Sequence, residues 1–135
     1  ACLVFCCIIR SMTEPSKKGS TRQLGAWGEQ AARDYLLKNG FEILLQNVYT
    51  PYGEIDLVAR KAGRLHMVEV KTRRSRAFGF PEEAVTERKR RHMLESAQAF
   101  LQENPELGPD FQIDVIAVEV HSKKTYEITY FENAV

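Results

Sequence analysis

The 135-residue chain predicts a single α/β domain with the element order helix, three strands, helix, two strands. Three observations carry this prediction. Apolar residues recur at helical spacing in two stretches, each bounded by capping residues and by glycine or proline. Between them lie short runs in which apolar and polar residues alternate, the pattern of strands with one face buried. After the second helical stretch come two runs rich in valine, isoleucine and aromatic residues, joined by a short polar turn. The length suffices for one real core. A content of 44% hydrophobic and 27% charged residues is that of a soluble globular domain.

The first segment reads differently from the rest. Residues 1–11 hold all three cysteines (Cys2, Cys6, Cys7) and a short apolar run. That run is far below the roughly 20 residues a membrane span requires, and it lacks a signal-peptide pattern. Residues 1–20 are expected to be a disordered or non-native amino-terminal extension, with residues 21–135 as the domain. A membrane-touching segment or a small extra strand is the lesser alternative. The cysteines have no spaced partners for a zinc site. With no cysteine from residue 8 onward, the domain needs no disulfide, which fits the cytoplasm and no membrane.

The first helix is expected from Thr21 to Asn39, with Ser20 or Thr21 as cap and Gly40 ending it in a left-handed conformation. Leu24, Trp27, Ala31 and Tyr35 form its apolar stripe, and Trp27 reads as core. Gly25, Gly28 and Ala32 form a small-residue stripe that lets the helix approach a sheet closely. A strand over Phe41–Val48 follows, then a turn at Pro51-Tyr52-Gly53 and a hairpin. Residues 73–80 read as a basic loop, and 81–84 as a short helical turn. Thr86 caps a helix running to Asn104 with a stripe of Met93, Leu94, Ala97, Phe100 and Leu101. Pro105 and Gly108-Pro109 end it. Strands over Asp110–Val120 and Thr125–Phe131 complete the chain.

The hairpin carries the chemistry. Gly53-Glu54-Ile55-Asp56 and Glu69-Val70-Lys71 flank the turn at Ala62-Gly63. A hairpin centred on that turn pairs residues whose numbers sum to 125, which sets Asp56 opposite Glu69 and Glu54 opposite Lys71. Glu54, Asp56 and Val58 then share a face with Met67, Glu69 and Lys71. Ile55, Leu57 and Ala59 share the other with His66, Val68 and Val70, which reads as core. A one-residue slip would mix charge with core. Ala62 is a poor first residue for a type I′ turn, so the register is better founded than the turn type.

Two carboxylates on opposed strand positions lie about 4.5–5.5 Å apart at Cβ and repel, which a divalent cation would relieve. Mg²⁺ or Mn²⁺ takes oxygen ligands, and Asp56, Glu69 and the Val70 carbonyl can supply them. Lys71 can orient water or steady a phosphoryl group. Taken singly, each residue also reads as a solvated strand residue or a weak surface pair. Together, on one face beside a basic loop, they favour a site. Residues 60–91 hold eleven basic and four acidic residues, a local charge of +7, while residues 92–135 carry −6. This asymmetry fits a polyanion-binding side or a solvated helix face with a basic loop.

Gly25-Ala26-Trp27-Gly28-Glu29, Gly53-Glu54-Ile55-Asp56, Glu69-Val70-Lys71-Thr72-Arg73, Ala84-Val85-Thr86 with Lys89, and Ile113-Asp114-Val115 together resemble the YraN-like branch of the PD-(D/E)XK nuclease superfamily. That superfamily also holds restriction endonucleases and archaeal Holliday junction resolvases. The resemblance covers nearly all of residues 22–120. It implies a restriction-endonuclease-like αβββαβ core, a mixed central sheet flanked by helices. It implies Asp56, Glu69 and Lys71 as a catalytic triplet, with Glu54 beside them and Glu29 as an added acid from the first helix. Glu29 reads equally well as an i, i+4 partner of Arg33. Arg73, Arg74 and Arg76 are the expected phosphate contacts, and Lys89 is either another or part of a solvated face. Asp114, in an apolar strand, needs a buried partner and reads as structural. The three histidines form no ligand set.

The expected function is nucleic-acid binding with Mg²⁺- or Mn²⁺-dependent phosphodiester hydrolysis, DNA being favoured over RNA and branched DNA being among the substrates. The alternative is a non-catalytic binding module on the same scaffold. A homodimer would suit the cleavage of two strands.

Overall fold

The computed structural model describes residues 3–10, 21–74, 86–122 and 125–135. Arg76, the helical turn expected over 81–84 and residues 11–20 lie outside the described residues. In chain order the elements are β1 (Leu3–Arg10), α1 (Thr21–Lys38), β2 (Glu42–Thr50), β3 (Gly53–Lys61) and β4 (Arg64–Arg73). They continue with α2 (Glu87–Glu103), a 3-10 turn (Pro105–Leu107), β5 (Phe111–Ser122) and β6 (Thr125–Glu132). Among the described residues the strands form one sheet in the order β1-β6-β5-β4-β3-β2. Neighbours are antiparallel except β4 and β5, which run parallel across the α2 crossover. From α1 to β5 this is the expected mixed α/β architecture, consistent with a restriction-endonuclease-like core. No helix among the described residues is long and apolar enough to cross a membrane.

The helices end where local chemistry ends them. At the carboxyl end of α1, Phe41 N–H donates to Leu36 C=O at 3.0 Å and Gly40 N–H to Leu37 C=O at 3.3 Å. That pair of bonds needs a left-handed residue, and Gly40 supplies it at φ 85°. At the start of α2, the Thr86 hydroxyl accepts the Lys89 N–H at 3.3 Å, satisfying one of the free amides of the first turn.

The two helices cover opposite faces of the sheet. α1 buries Ala31, Ala32 and Leu36 against Leu57, Ala59, Val68, Ile116, Val118 and Ile128, with Trp27 and Tyr35 packed alongside. α2 buries Ala97 and Phe100 against Ile55, Val58, Leu65, Met67 and Ile113. Fully buried side chains such as Leu57 and Leu65 contribute about 1.5–3 kcal/mol each. Two sequence expectations change as a result. The face carrying Val58 and Met67 is not polar along its length, because α2 covers it. Ile55 packs with Val58 under α2 rather than with Leu57 under α1. The alternation breaks between them, where Asn47 (φ 52°) and Asp56 drop out of the β2–β3 ladder. Leu94, placed in the buried stripe of α2, is 38% exposed.

The β3–β4 register is the predicted one from Lys61↔Arg64 through Leu57↔Val68. Ala62 and Gly63 both have positive φ (51° and 76°), so the tight two-residue turn forms despite the cost at alanine. The ladder stops at Leu57. The expected pairs Asp56–Glu69 and Glu54–Lys71 are therefore absent from it, for a reason visible at Asp56.

Leu3–Arg10 also departs from expectation. It pairs with β6 along its length, from Leu3↔Glu132 to Arg10↔Thr125. The apolar, strand-prone run covers the edge β6 would otherwise present. The extra strand, the lesser alternative for this segment, is the form residues 3–10 take.

Candidate metal site

Glycine at position 28 brings α1 onto the sheet. A Cβ there would lie 2.7 Å from both Cβ and Cγ2 of Thr72 in β4, a distance real Cβ atoms do not tolerate. The close approach aims the next residue, Glu29, at the hairpin. Ala32, fully buried, extends the stripe. Gly25 does not, since a Cβ there meets nothing within 4 Å among the described residues. Gly28→Ala is expected to push α1 off β4, costing about 1–3 kcal/mol by overpacking. Chemical denaturation reads the stability loss, and a divalent-ion titration reads the displacement of Glu29.

Glu29 from α1 meets Glu54 and Asp56 from β3. Each contributes a carboxylate oxygen, and the three oxygens lie within 4.8 Å of one another. Asn47, held at positive φ on β2, stands between two of them. With its amide nitrogen turned to the acids, it donates to Glu29 Oε2 at 3.0 Å and to Glu54 Oε1 at 2.9 Å. One neutral amide orients these groups without neutralising them.

Asp56 is 8% exposed, and its Oδ2 accepts the Val70 N–H at 2.8 Å. The side chain has taken the place of a backbone partner, which ends the ladder with β4 at Leu57. Burial is the main force pushing the Asp56 carboxyl up to about 8. The Glu69, Glu29 and Glu54 charges add to it, and the Val70 amide opposes it. Glu29 is also raised, by burial and then by Glu54 and Glu69. Three hard oxygen donors this close together suit a hard divalent cation such as Mg²⁺ or Mn²⁺. The residues present fit such an ion.

The remaining predicted residues fall around this cluster. Glu69 is near enough to raise Asp56, but its Oε1 turns to Lys71 Nζ at 3.1 Å. Lys71 thus pairs with its own strand neighbour instead of Glu54. Val70 engages Asp56 through its amide, where the sequence suggests its carbonyl as a ligand. Lys89, from the first turn of α2, lies beside Lys71. The Lys71 charge is the main cause holding Lys89 below its ordinary value, followed by burial and a bond to Lys71. Arg73, at the end of β4, has a buried Nη2 with no hydrogen-bond partner among the described residues. Arg74 follows it, already engaged by a partner. The alternative reading of Glu29 is not what forms. Arg33 turns to Gln46, whose side-chain oxygen accepts from Arg33 Nε at 2.9 Å and from a terminal nitrogen at 3.2 Å.

Sequence reasoning misses Asn47. Its one signal is an asparagine within an otherwise strand-like run, a residue that tolerates positive φ. His66, outside any ligand set, proves to be a buried partner of Asp114. Asp114, fully buried, accepts from His66 Nδ1 at 2.6 Å, Gln112 Nε2 at 2.9 Å, the Asn133 N–H at 2.7 Å and the Tyr130 hydroxyl. Burial would raise its carboxyl, but these four donors together hold it below the usual range. The network ties β4, β5 and β6 together and makes Asp114 structural.

Fold and site together define a mixed α/β domain with an acidic cluster where its first helix meets a hairpin. The profile of "Uncharacterised protein family UPF0102" matches residues 28–118. A UPF0102 protein of Syntrophomonas wolfei is 45% identical over 113 residues, covering 84% of this chain and 97% of its own. One from Dichelobacter nodosus is 38% identical over 120 residues, covering 89% and 94%. One from Syntrophotalea carbinolica is 45% identical over 113 residues, covering 82% and 89%. The chain belongs to the UPF0102 family.

Proposed function

We propose that this protein binds nucleic acid and hydrolyses its phosphodiester bonds with Mg²⁺ or Mn²⁺, as PD-(D/E)XK nucleases do. One observation carries the proposal: Glu29, Glu54 and Asp56 bring carboxylate oxygens within 4.8 Å, and Asp56 is pushed up to about 8. Such a cluster is costly without a cation. Glu29, Glu54 and Asp56 would hold the ion, with Glu69 close by. The ion would polarise the phosphate and lower the pKa of bound water.

The chain's own residues do the rest. The Val70 amide and Asn47 fix the carboxylates. Lys71, held by Glu69, keeps an ammonium beside the cluster, where it can orient water or balance charge on the phosphoryl oxygens. Lys89 adds a second cation, for which a phosphate supplies an acceptor.

The test is incubation of purified protein with single-stranded, duplex and branched DNA, and with RNA, in Mg²⁺ or Mn²⁺. The expected result is metal-dependent cleavage of a DNA form that Lys71→Ala lowers by about 100-fold or more. Cleavage of no form in any metal overturns the enzymatic reading. Steeply salt-dependent binding that persists without cleavage, and that Asp56→Ala leaves intact, identifies a binding module instead.

A further inference from the structure

Each acid of the cluster has one oxygen already engaged by a nitrogen donor. The Asn47 amide donates to Glu29 Oε2 at 3.0 Å and to Glu54 Oε1 at 2.9 Å. The Val70 N–H donates to Asp56 Oδ2 at 2.8 Å. The Val70 donor belongs to the backbone, so no side-chain change removes it. The Asn47 donor is a side chain, and its single nitrogen serves carboxylates from two different elements, α1 and β3.

The fold builds Asn47 into this place. By register it stands opposite Asp56, between the pairs Gln46↔Leu57 and Val48↔Ile55. Its φ of 52° takes it out of the strand conformation. A local break of this kind re-aims a side chain, and asparagine tolerates it better than most residues. The preceding residue holds the same helix, since the Gln46 oxygen accepts from Arg33 Nε at 2.9 Å. Arg33 and Glu29 lie one turn apart on one face of α1. β2 therefore grips that helix at two successive levels, which limits how far α1 can shift about Asn47.

A carboxylate clipped at one oxygen offers the other to an ion and chelates poorly with both. Single-oxygen donors suit an ion that takes an octahedron of oxygens at about 2.0–2.1 Å and keeps several waters, as Mg²⁺ does. Ca²⁺ is larger, takes about six to eight oxygens at about 2.3–2.6 Å and accepts bidentate carboxylates. We propose that Asn47 sets the ion preference of the cluster, holding Glu29 and Glu54 to one ligand oxygen each and so favouring Mg²⁺ or Mn²⁺ over Ca²⁺. The inference rests on the divalent-ion reading of the cluster and names the residue that determines its specificity. A clip that only fastens α1 to β2 is the competing role. Losing such a clip would affect every ion alike, so the ratio of two affinities separates the two roles.

Calorimetric titration of the metal-free protein with Mn²⁺ and, separately, with Ca²⁺ tests it. Asn47→Gly removes the amide and accepts the positive φ without strain. It is expected to lower the ratio of Mn²⁺ to Ca²⁺ affinity about tenfold, the scale on which loss of a ligand-orienting partner acts. Asn47→Asp keeps the shape, replaces the donor with a further carboxylate, and is expected to lower the same ratio by tightening Ca²⁺. A wild type that takes Ca²⁺ at least as tightly as Mn²⁺ overturns the inference and leaves the cation site standing. So does a ratio within about twofold of wild type in either variant, an equal loss for both ions included. A wild-type protein that takes up neither ion overturns the divalent-ion reading and this inference with it.

Discussion

Asp56→Asn is expected to raise the stability of the metal-free protein near pH 8 and to abolish its response to Mg²⁺ or Mn²⁺. The sign follows from the direction of the shift. The Asp56 carboxyl ionises at its ordinary 3.8 when unfolded and at about 8 when folded. Between those values the folded state holds a proton that the unfolded state has lost. Stability from this group is complete below 3.8 and declines as pH rises, until the folded carboxyl ionises near 8. The slope reaches about 1.4 kcal/mol per pH unit at most, so the accumulated loss is a matter of several kcal/mol. A divalent ion reverses it by taking the proton's place, adding about 2.7 kcal/mol at a hundred times its dissociation constant. The substituted asparagine keeps an oxygen for the Val70 amide but carries no charge, so both effects vanish together. The readout is the difference between wild type and Asp56→Asn in urea unfolding at pH 5 and pH 8, with and without Mn²⁺. Wild-type and variant curves that run parallel under all four conditions contradict the account.

The largest loss of stability is expected from Asp114→Ala. Removing the carboxylate leaves four donors from His66, Gln112, Tyr130 and Asn133 without their acceptor in a buried site. Breaking one side of such a network costs about 3–5 kcal/mol, a large fraction of the 5–15 kcal/mol or so that holds a typical domain folded. Tyr130→Phe removes one donor and is expected to cost about 1–2 kcal/mol. The Tyr130 hydroxyl is held far above its usual range by burial and then by the Asp114 charge, so it remains a donor at any working pH. Asp114 also sets the acid limit. Its folded pKa lies below its unfolded value, so its contribution is present above 3.8 and is lost as pH falls through the folded value. The acid limb of the unfolding profile is therefore expected to flatten in Asp114→Ala while the Asp56-dependent limb stays. Loss of less than about 1 kcal/mol in urea unfolding would mean that the network carries little load.

The parts legible in the sequence are those governed by local chemistry. Gly40 and Thr86 announce helix ends because a left-handed cap and a hydroxyl cap have few substitutes. The hairpin register follows from sorting charge away from core, and the strands adopt it from Lys61 to Leu57. It fails beyond Leu57 because alternation assumes that backbone pairs with backbone. At Asp56 a side chain captures the Val70 amide, and no periodicity encodes that substitution. The resulting break also explains why Ile55 faces α2. Glu29 and Asp56 are identifiable as acids on elements that meet, but their convergence with Glu54 depends on Gly28 lying against Thr72, a contact across the fold. Asp114 visibly needs a partner. That its partners include His66 and Tyr130, from two different strands, cannot be read before the strand order is known. The β1 run is apolar enough to be a strand, but nothing local says that β6 has a free edge to receive it.

Anomalous diffraction from crystals soaked in Mn²⁺ decides whether Glu29, Glu54 and Asp56 hold a divalent cation. A manganese peak bounded by these three carboxylates is expected in the wild type, with none there in Asp56→Asn. Well-ordered wild-type crystals that carry no manganese at the cluster would mean that these acids hold no such ion.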